Sequence, residues 1–145
     1  MNKELKENRI TKYKSKMGLI MVFLPILVLI VPMLFEGTID MWDFLSFAFV
    51  VSVLAFGYLT MVYEINHLSE VLVLKIGFSS KKVRIKKIIR IEETNSAMSG
   101  YAFSLDRLEI FYDRYESVLV SPKKKEQFIK ELMELNSSIV FKPKK

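Results

Sequence analysis

The sequence predicts an α+β protein in two parts: an N-terminal two-helix transmembrane hairpin, then an antiparallel β domain capped by a C-terminal α-helix. Three observations predict it. Met17 to Phe35 and Phe44 to Tyr63 are uncharged runs, and at about 1.5 Å per residue each helix would reach roughly the 30 Å of a hydrocarbon core. From Glu64 the apolar residues recur with a period near two, the mark of half-buried strands. Near the C-terminus the spacing becomes helical again.

The expected organisation is therefore a basic cytoplasmic tail over 1–16, helices over 17–35 and 44–63 with an external loop 36–43, and a cytoplasmic domain over 64–145. A cleaved signal peptide is not expected, because the first apolar run is longer than such a core and no small-residue cleavage site lies between Phe35 and Asp40. Orientation follows from the cations, which are retained on the cytoplasmic side. Lys3, Lys6, Arg9, Lys12, Lys14 and Lys16 precede the first run, whereas Glu36, Asp40 and Asp43 are the charges between the two. The expected localisation is the cell membrane, multi-pass, with both termini cytoplasmic. Trp42, Phe44, Tyr58 and Tyr63 fit a headgroup-level belt.

Within the first run Pro25 and Pro32 remove backbone donors and favour kinks. In the second, Ala48 and Ser52 form a small-residue pair that would let the helices approach. Neither run holds Asp, Glu, Lys, Arg or His, so an ion or proton pathway is not expected and the hairpin reads as an anchor.

In the second half, Glu70 to Ile76 reads as a strand turned by Gly77 to Ser80. Lys82 to Lys86 alternates Val83 and Ile85 with cations, which would set Lys82, Arg84 and Lys86 on one face. Ile89 and Ile91 continue the alternation after an inserted residue near Lys87 and Ile88, as at a bulge. Asn95 to Gly100 reads as a loop. Strands follow around Leu108, Ile110 and Tyr112 and around Val118 and Val120, with intervals too short for crossover helices. Ser121 with Pro122 is a possible helix start. Phe128, Ile129, Leu132, Met133 and Leu135 then make an apolar stripe that Lys124, Lys125, Lys130, Glu131 and Glu134 avoid, and Asn136 can end the helix.

These residues resemble the small bacterial pleckstrin-homology (PH)-like domains of the YyaB-like group. The resemblance runs from Ile85 through Ser104, Leu105, Asp106, Arg107 and Leu108, Ile110 and Tyr112, Val120, Ser121 and Pro122, to Phe128, Ile129 and Leu132. It implies a partly open seven-stranded barrel capped by the C-terminal helix, and the architecture is similar to that of immunity proteins against the bacteriocin sublancin. From the residues themselves, Asp106 and Arg107 are turn-and-pair groups at a strand entry.

The inventory for chemistry is poor. His67 is the single histidine and there is no cysteine, so no zinc site, no thiol catalysis and no cofactor is expected. Glu92 and Glu93, adjacent on a strand, would point to opposite faces and form no dyad. No phosphate-binding glycine loop is present, and the chain is not expected to be an enzyme. The candidate surface is the basic cluster Lys75, Lys81, Lys82, Arg84, Lys86, Lys87 and Arg90. It reads either as a solvated face or as a site for anionic lipid headgroups or a protein partner, and nucleic acid is not expected. The expected function is immunity to a membrane-active bacteriocin, by binding the peptide or its membrane target; the alternative is a membrane-tethered regulatory or structural module that docks a protein partner or anionic lipid.

Overall fold

The computed structural model describes residues 9–37, 40–95, 101–102, 104–114 and 116–144. Its elements, in chain order, are β1 (Ile10–Lys14), α1 (Ile20–Glu36), α2 (Met41–Thr60), β2 (Val62–Asn66), β3 (Val71–Ile76), β4 (Ser79–Arg84), a 3-10 turn (Ile85–Lys87), β5 (Ile88–Thr94), β6 (Arg107–Tyr112), β7 (Glu116–Val120), α3 (Lys125–Leu135) and β8 (Val140–Lys142).

Both apolar runs are helical, but with shifted ends. α1 starts three residues after Met17, passes through Pro25 and Pro32, and stops at Gly37, whose φ of 71° is one that glycine adopts freely. α2 begins at Met41 rather than Phe44 because Asp40 and Asp43 form a capping box. The Asp40 carboxylate accepts from the backbone N–H of Trp42 (2.8 Å) and Asp43 (3.0 Å), and the Asp43 carboxylate accepts from Asp40 N–H (3.0 Å). α2 ends at Thr60, where Met61 becomes extended. Tyr63 is therefore not a headgroup-level residue: it lies in β2, fully buried. α1 packs on α2, and α2 buries none of its residues within the protein.

The tail expected over 1–16 is another departure, since Ile10 to Lys14 forms β1. It pairs antiparallel with β2, from Ile10 opposite Asn66 to Lys14 opposite Val62. The physical reason is a period-two pattern, Thr11 and Tyr13 inward with Ile10, Lys12 and Lys14 outward, in a segment whose single inward aromatic carries most of its burial. Residues 1–8 lie outside the described part, as do residues 96–100 of the loop expected over Asn95 to Gly100.

The strands make two four-stranded sheets, ordered β1-β2-β3-β4 and β7-β6-β5-β8, so eight strands in two sheets stand where a partly open seven-stranded barrel is expected. Pairing is antiparallel except that β8 lies parallel to β5. Isolated bridges from Ser15 to Pro122 and from Tyr101 to Val120 are the further strand contacts. The register of β5 shifts between Ile88 and Arg90. Ile88 and Ile91 consequently point inward and Ile89 outward, so the expected irregularity is present but reverses Ile89.

One apolar cluster joins both sheets and α3, built on Tyr63, Ile65, Leu72, Leu74, Ile91, Leu108, Ile110, Phe128 and Leu132. Phe128 meets the Tyr13 ring edge-on at 5.3 Å and the Tyr63 ring at 6.1 Å. Ser121 does not cap the helix, which starts at Lys125; Ser121 is buried and its hydroxyl lies 3.0 Å from that of Ser15. Asn136 does end α3, and its amide donates to the carbonyls of Ile85 (2.9 Å) and Ile88 (3.1 Å).

Truncating Phe128 to alanine should lower the unfolding free energy of the whole chain in detergent by about 3 to 5 kcal/mol, the range for a buried phenylalanine. Denaturant unfolding followed by near-ultraviolet circular dichroism measures it, and an unchanged midpoint would remove α3 from its role as the cap. The whole chain is needed because β1 precedes the helices.

Candidate functional site

The first sheet has one face toward the core and one toward solvent, and alternation decides which side chains reach the outer face. Register arranges them in transverse rows. The row next to the helix ends is Lys14, Val62, Lys75 and Ser80. Two residues further along the strands, about 7 Å, come Lys12, Glu64, Val73 and Lys82. The last row is Ile10, Asn66, Val71 and Arg84. Five cations thus share this face with one carboxylate. Glu64 bridges Lys75 (2.6 Å) and Lys12 (3.3 Å), and the hydrogen bond from Lys75, joined by that from Lys12, outweighs burial to hold its carboxyl below the usual range.

The predicted basic cluster is divided. Lys82 and Arg84 do share a face, are exposed, and have no ion-pair partner among the described residues. Lys75 joins them through β3. Lys81 points the other way, 5.3 Å above the Tyr112 ring and 3.9 Å from Glu116. Lys86 leaves the alternation because the strand ends at Arg84 and the 3-10 turn follows, where it pairs with Glu70 at 2.6 Å. Lys87 pairs with Asp113, and Arg90 lies 3.2 Å from Glu92 with its guanidinium 3.9 Å from the Phe111 ring centre. The last three belong to local ion pairs on other surfaces. Lys12 and Lys14 were missed by sequence reasoning, although the alternation from Ile10 to Ser15 carries the signal.

Behind this sheet sits a polar cluster that the helical stripe did not suggest. Glu131, expected to face solvent, is 8% exposed. Its carboxylate accepts from the Tyr13 hydroxyl and lies 2.5 Å from His67 Nε2, which is itself 3.5 Å from Thr11 Oγ1. Burial by itself would raise the Glu131 carboxyl, but hydrogen bonds from Thr11, Tyr13 and His67 and the charge of His67 outweigh it and hold the group below the ordinary value. His67 is thus tied to α3 rather than solvated. On another edge Asp106 accepts from Lys125 (2.6 Å) and Lys16 (2.8 Å), with Lys125 also 3.0 Å from Glu93. The Arg107 side chain is buried and donates to the Ser104 carbonyl at 2.5 Å. The turn-and-pair reading of Asp106 and Arg107 matches this geometry.

Two packed sheets with a C-terminal helix over their common core define a small α+β module of the PH-like class, here with a cationic outer face on the first sheet. The chain belongs to the bacterial PH domain family, whose family model matches residues 61–136. No curated protein is matched by the sequence. The match begins at Met61, so β1, α1 and α2 lie outside it, as does β8.

Because the folded carboxyl of Glu131 titrates below the ordinary value of 4.5, the unfolded chain binds more protons in that interval. The Glu131 contribution is therefore full above that ordinary value and is lost as pH falls through the lower folded one. Glu131→Gln should destabilise the chain by about 1 to 3 kcal/mol at neutral pH and flatten its loss of stability on acidification, as read from unfolding midpoints over the acidic range.

Proposed function

We propose that the protein is a membrane-anchored, non-catalytic bacterial PH module whose helical pair crosses the bilayer as a hairpin and whose outer sheet face meets anionic lipid on the cytoplasmic side. The observation that carries this reading is the pairing of Lys14 with Val62. β1 leads into α1 and β2 leaves α2, so both open ends of the helical pair are held at one sheet. Two helices joined only by 37–40 and returning to one sheet can span a membrane only as a there-and-back hairpin. Among the described residues, α2 is the helix long and apolar enough to cross by itself, with a mean hydropathy of 1.7. α1 has 17 residues, about 25 Å of helix, and would cross beside it.

The charges support the same arrangement. Lys14 and Lys75 stand in the row adjoining the helix ends, within a Debye length of about 8 Å of a bilayer surface there, and each such cation adds about 1 kcal/mol of attraction to anionic lipid. Lys82 stands one row further and Arg84 two. Bacteriocin immunity draws on the resemblance, the hairpin anchor and the lack of a catalytic set or an intramembrane charge in the sequence, whereas the cationic face is a feature that favours lipid. Docking to lipid is therefore the reading put forward.

A reporter inserted at Asp40 should read external and one fused after Lys145 internal; the opposite pair would overturn the topology. The lipid contact is tested separately. The sequence has no cysteine, so Ser80→Cys gives a single labelling site on the outer face. Energy transfer from that label to headgroup-labelled lipid, in the reconstituted chain, should be greater in phosphatidylglycerol bilayers than in phosphatidylcholine and should fall as salt rises. Lys14→Gln with Lys75→Gln should remove most of the difference, and Arg84→Gln little. Equal transfer in both lipids would leave the face as a solvated one.

A further inference from the structure

We infer that the β3–β4 turn is a membrane-inserting tip, with Phe78 the side chain that enters the boundary between headgroups and acyl chains. The inference rests on the proposed hairpin anchor and adds a second, independent point of contact with the bilayer. Phe78 is 100% exposed, so the ring at the tip of this two-residue turn is not buried by the protein. That turn is closed by Ile76 opposite Ser79 and has Gly77 at a φ of 55°, as a tight hairpin with glycine first requires.

The turn does not project at random. Gly77 N–H donates to Thr60 Oγ1 at 2.8 Å, and the Thr60 hydroxyl donates in turn to the Phe56 carbonyl at 2.7 Å. A Cβ at Gly77 would stand 3.3 Å from Phe56 Cε1, so the turn presses its backbone against the last turn of α2. The Phe78 and Phe56 rings lie 5.7 Å apart, tilted by 38°. Phe56 precedes the end of α2 by four residues, about 6 Å along the axis. A ring held beside Phe56 therefore lies about that far inside the end of the span, the depth at which interfacial apolar groups sit.

Composition fits the location. Ile76, Gly77, Phe78, Ser79 and Ser80 carry no charge, while Lys75 and Lys81 with Lys82 bracket them. The result is an apolar point with a basic collar. The β2–β3 turn, His67 to Glu70, lies at the other end of β3, carries a histidine and a carboxylate, and faces away from the helices. Its Leu68, 61% exposed, is the internal comparison.

The test uses the full chain in vesicles of phosphatidylcholine and phosphatidylglycerol, with the single native tryptophan removed as Trp42→Phe. Phe78→Trp, Leu68→Trp and Phe49→Trp, the last midway along α2, are each read by emission maximum and by quenching with bromine-labelled acyl chains. The expected result is a blue-shifted, quenched emission at positions 49 and 78 and a red, unquenched emission at 68. Quenching at 49 with position 78 as red and unquenched as 68 would overturn the inserting tip and leave the anchor standing. No quenching at 49 would overturn the anchor, and the tip with it.

Discussion

The constraint on which the structure depends is the antiparallel pairing of β1 with β2 across the helical excursion between them. Forty-seven positions separate Lys14 from Val62 in sequence, yet they are register partners. This fixes the ends of α1 and α2 beside each other before any contact between the helices is considered. Backbone hydrogen bonds supply the pairing, and Tyr13, turned inward against Phe128 at 5.3 Å, supplies the apolar burial that holds β1 at the sheet edge. Without β1 the first sheet would present β2 as an open edge and the core would lose one wall.

Polar groups lock that strand at both ends. At one end the Tyr63 hydroxyl donates to the Tyr101 carbonyl (2.6 Å), accepts from Ser121 N–H (3.1 Å) and lies 3.2 Å from Ser15 Oγ. At the other, Glu131 gathers Tyr13 and His67. Tyr63 and Glu131 are buried, so a missing partner would leave an unsatisfied group inside. These contacts tie β1, β2, the segment after β7 and α3 together. The Thr60 and Gly77 contact ties the β3–β4 turn to the end of α2.

The charges divide by the same geometry. Where the 3-10 turn and the β5 irregularity bend the chain, cations meet carboxylates: Lys86 with Glu70, Lys87 with Asp113, Arg90 with Glu92. Such exposed pairs contribute little to stability, but they neutralise local charge. On the flat outer face of the first sheet, strand alternation offers cations from three strands and a carboxylate only from β2. Net positive charge therefore collects on this face, which adjoins the helix ends.

By itself the sequence determined the apolar runs, the strands around Val71, Leu108 and Val118, the stripe of Phe128, Ile129 and Leu132, the end of α3 at Asn136, and the pairing role of Asp106 and Arg107. Each is a local matter of periodicity or turn chemistry, and local patterns are legible along a chain. Tertiary structure alone decided that Ile10 to Lys14 is a strand, that Tyr63 belongs to the core, that Glu131 is buried, and that β8 runs parallel to β5. It also separated Lys82 and Arg84 from Lys86, Lys87 and Arg90 and brought Lys12 and Lys14 to their side. The physical reason is common to all of these. A strand at a sheet edge, a buried carboxylate and a shared cationic face are defined by partners distant in sequence, and no window of neighbouring residues contains those partners.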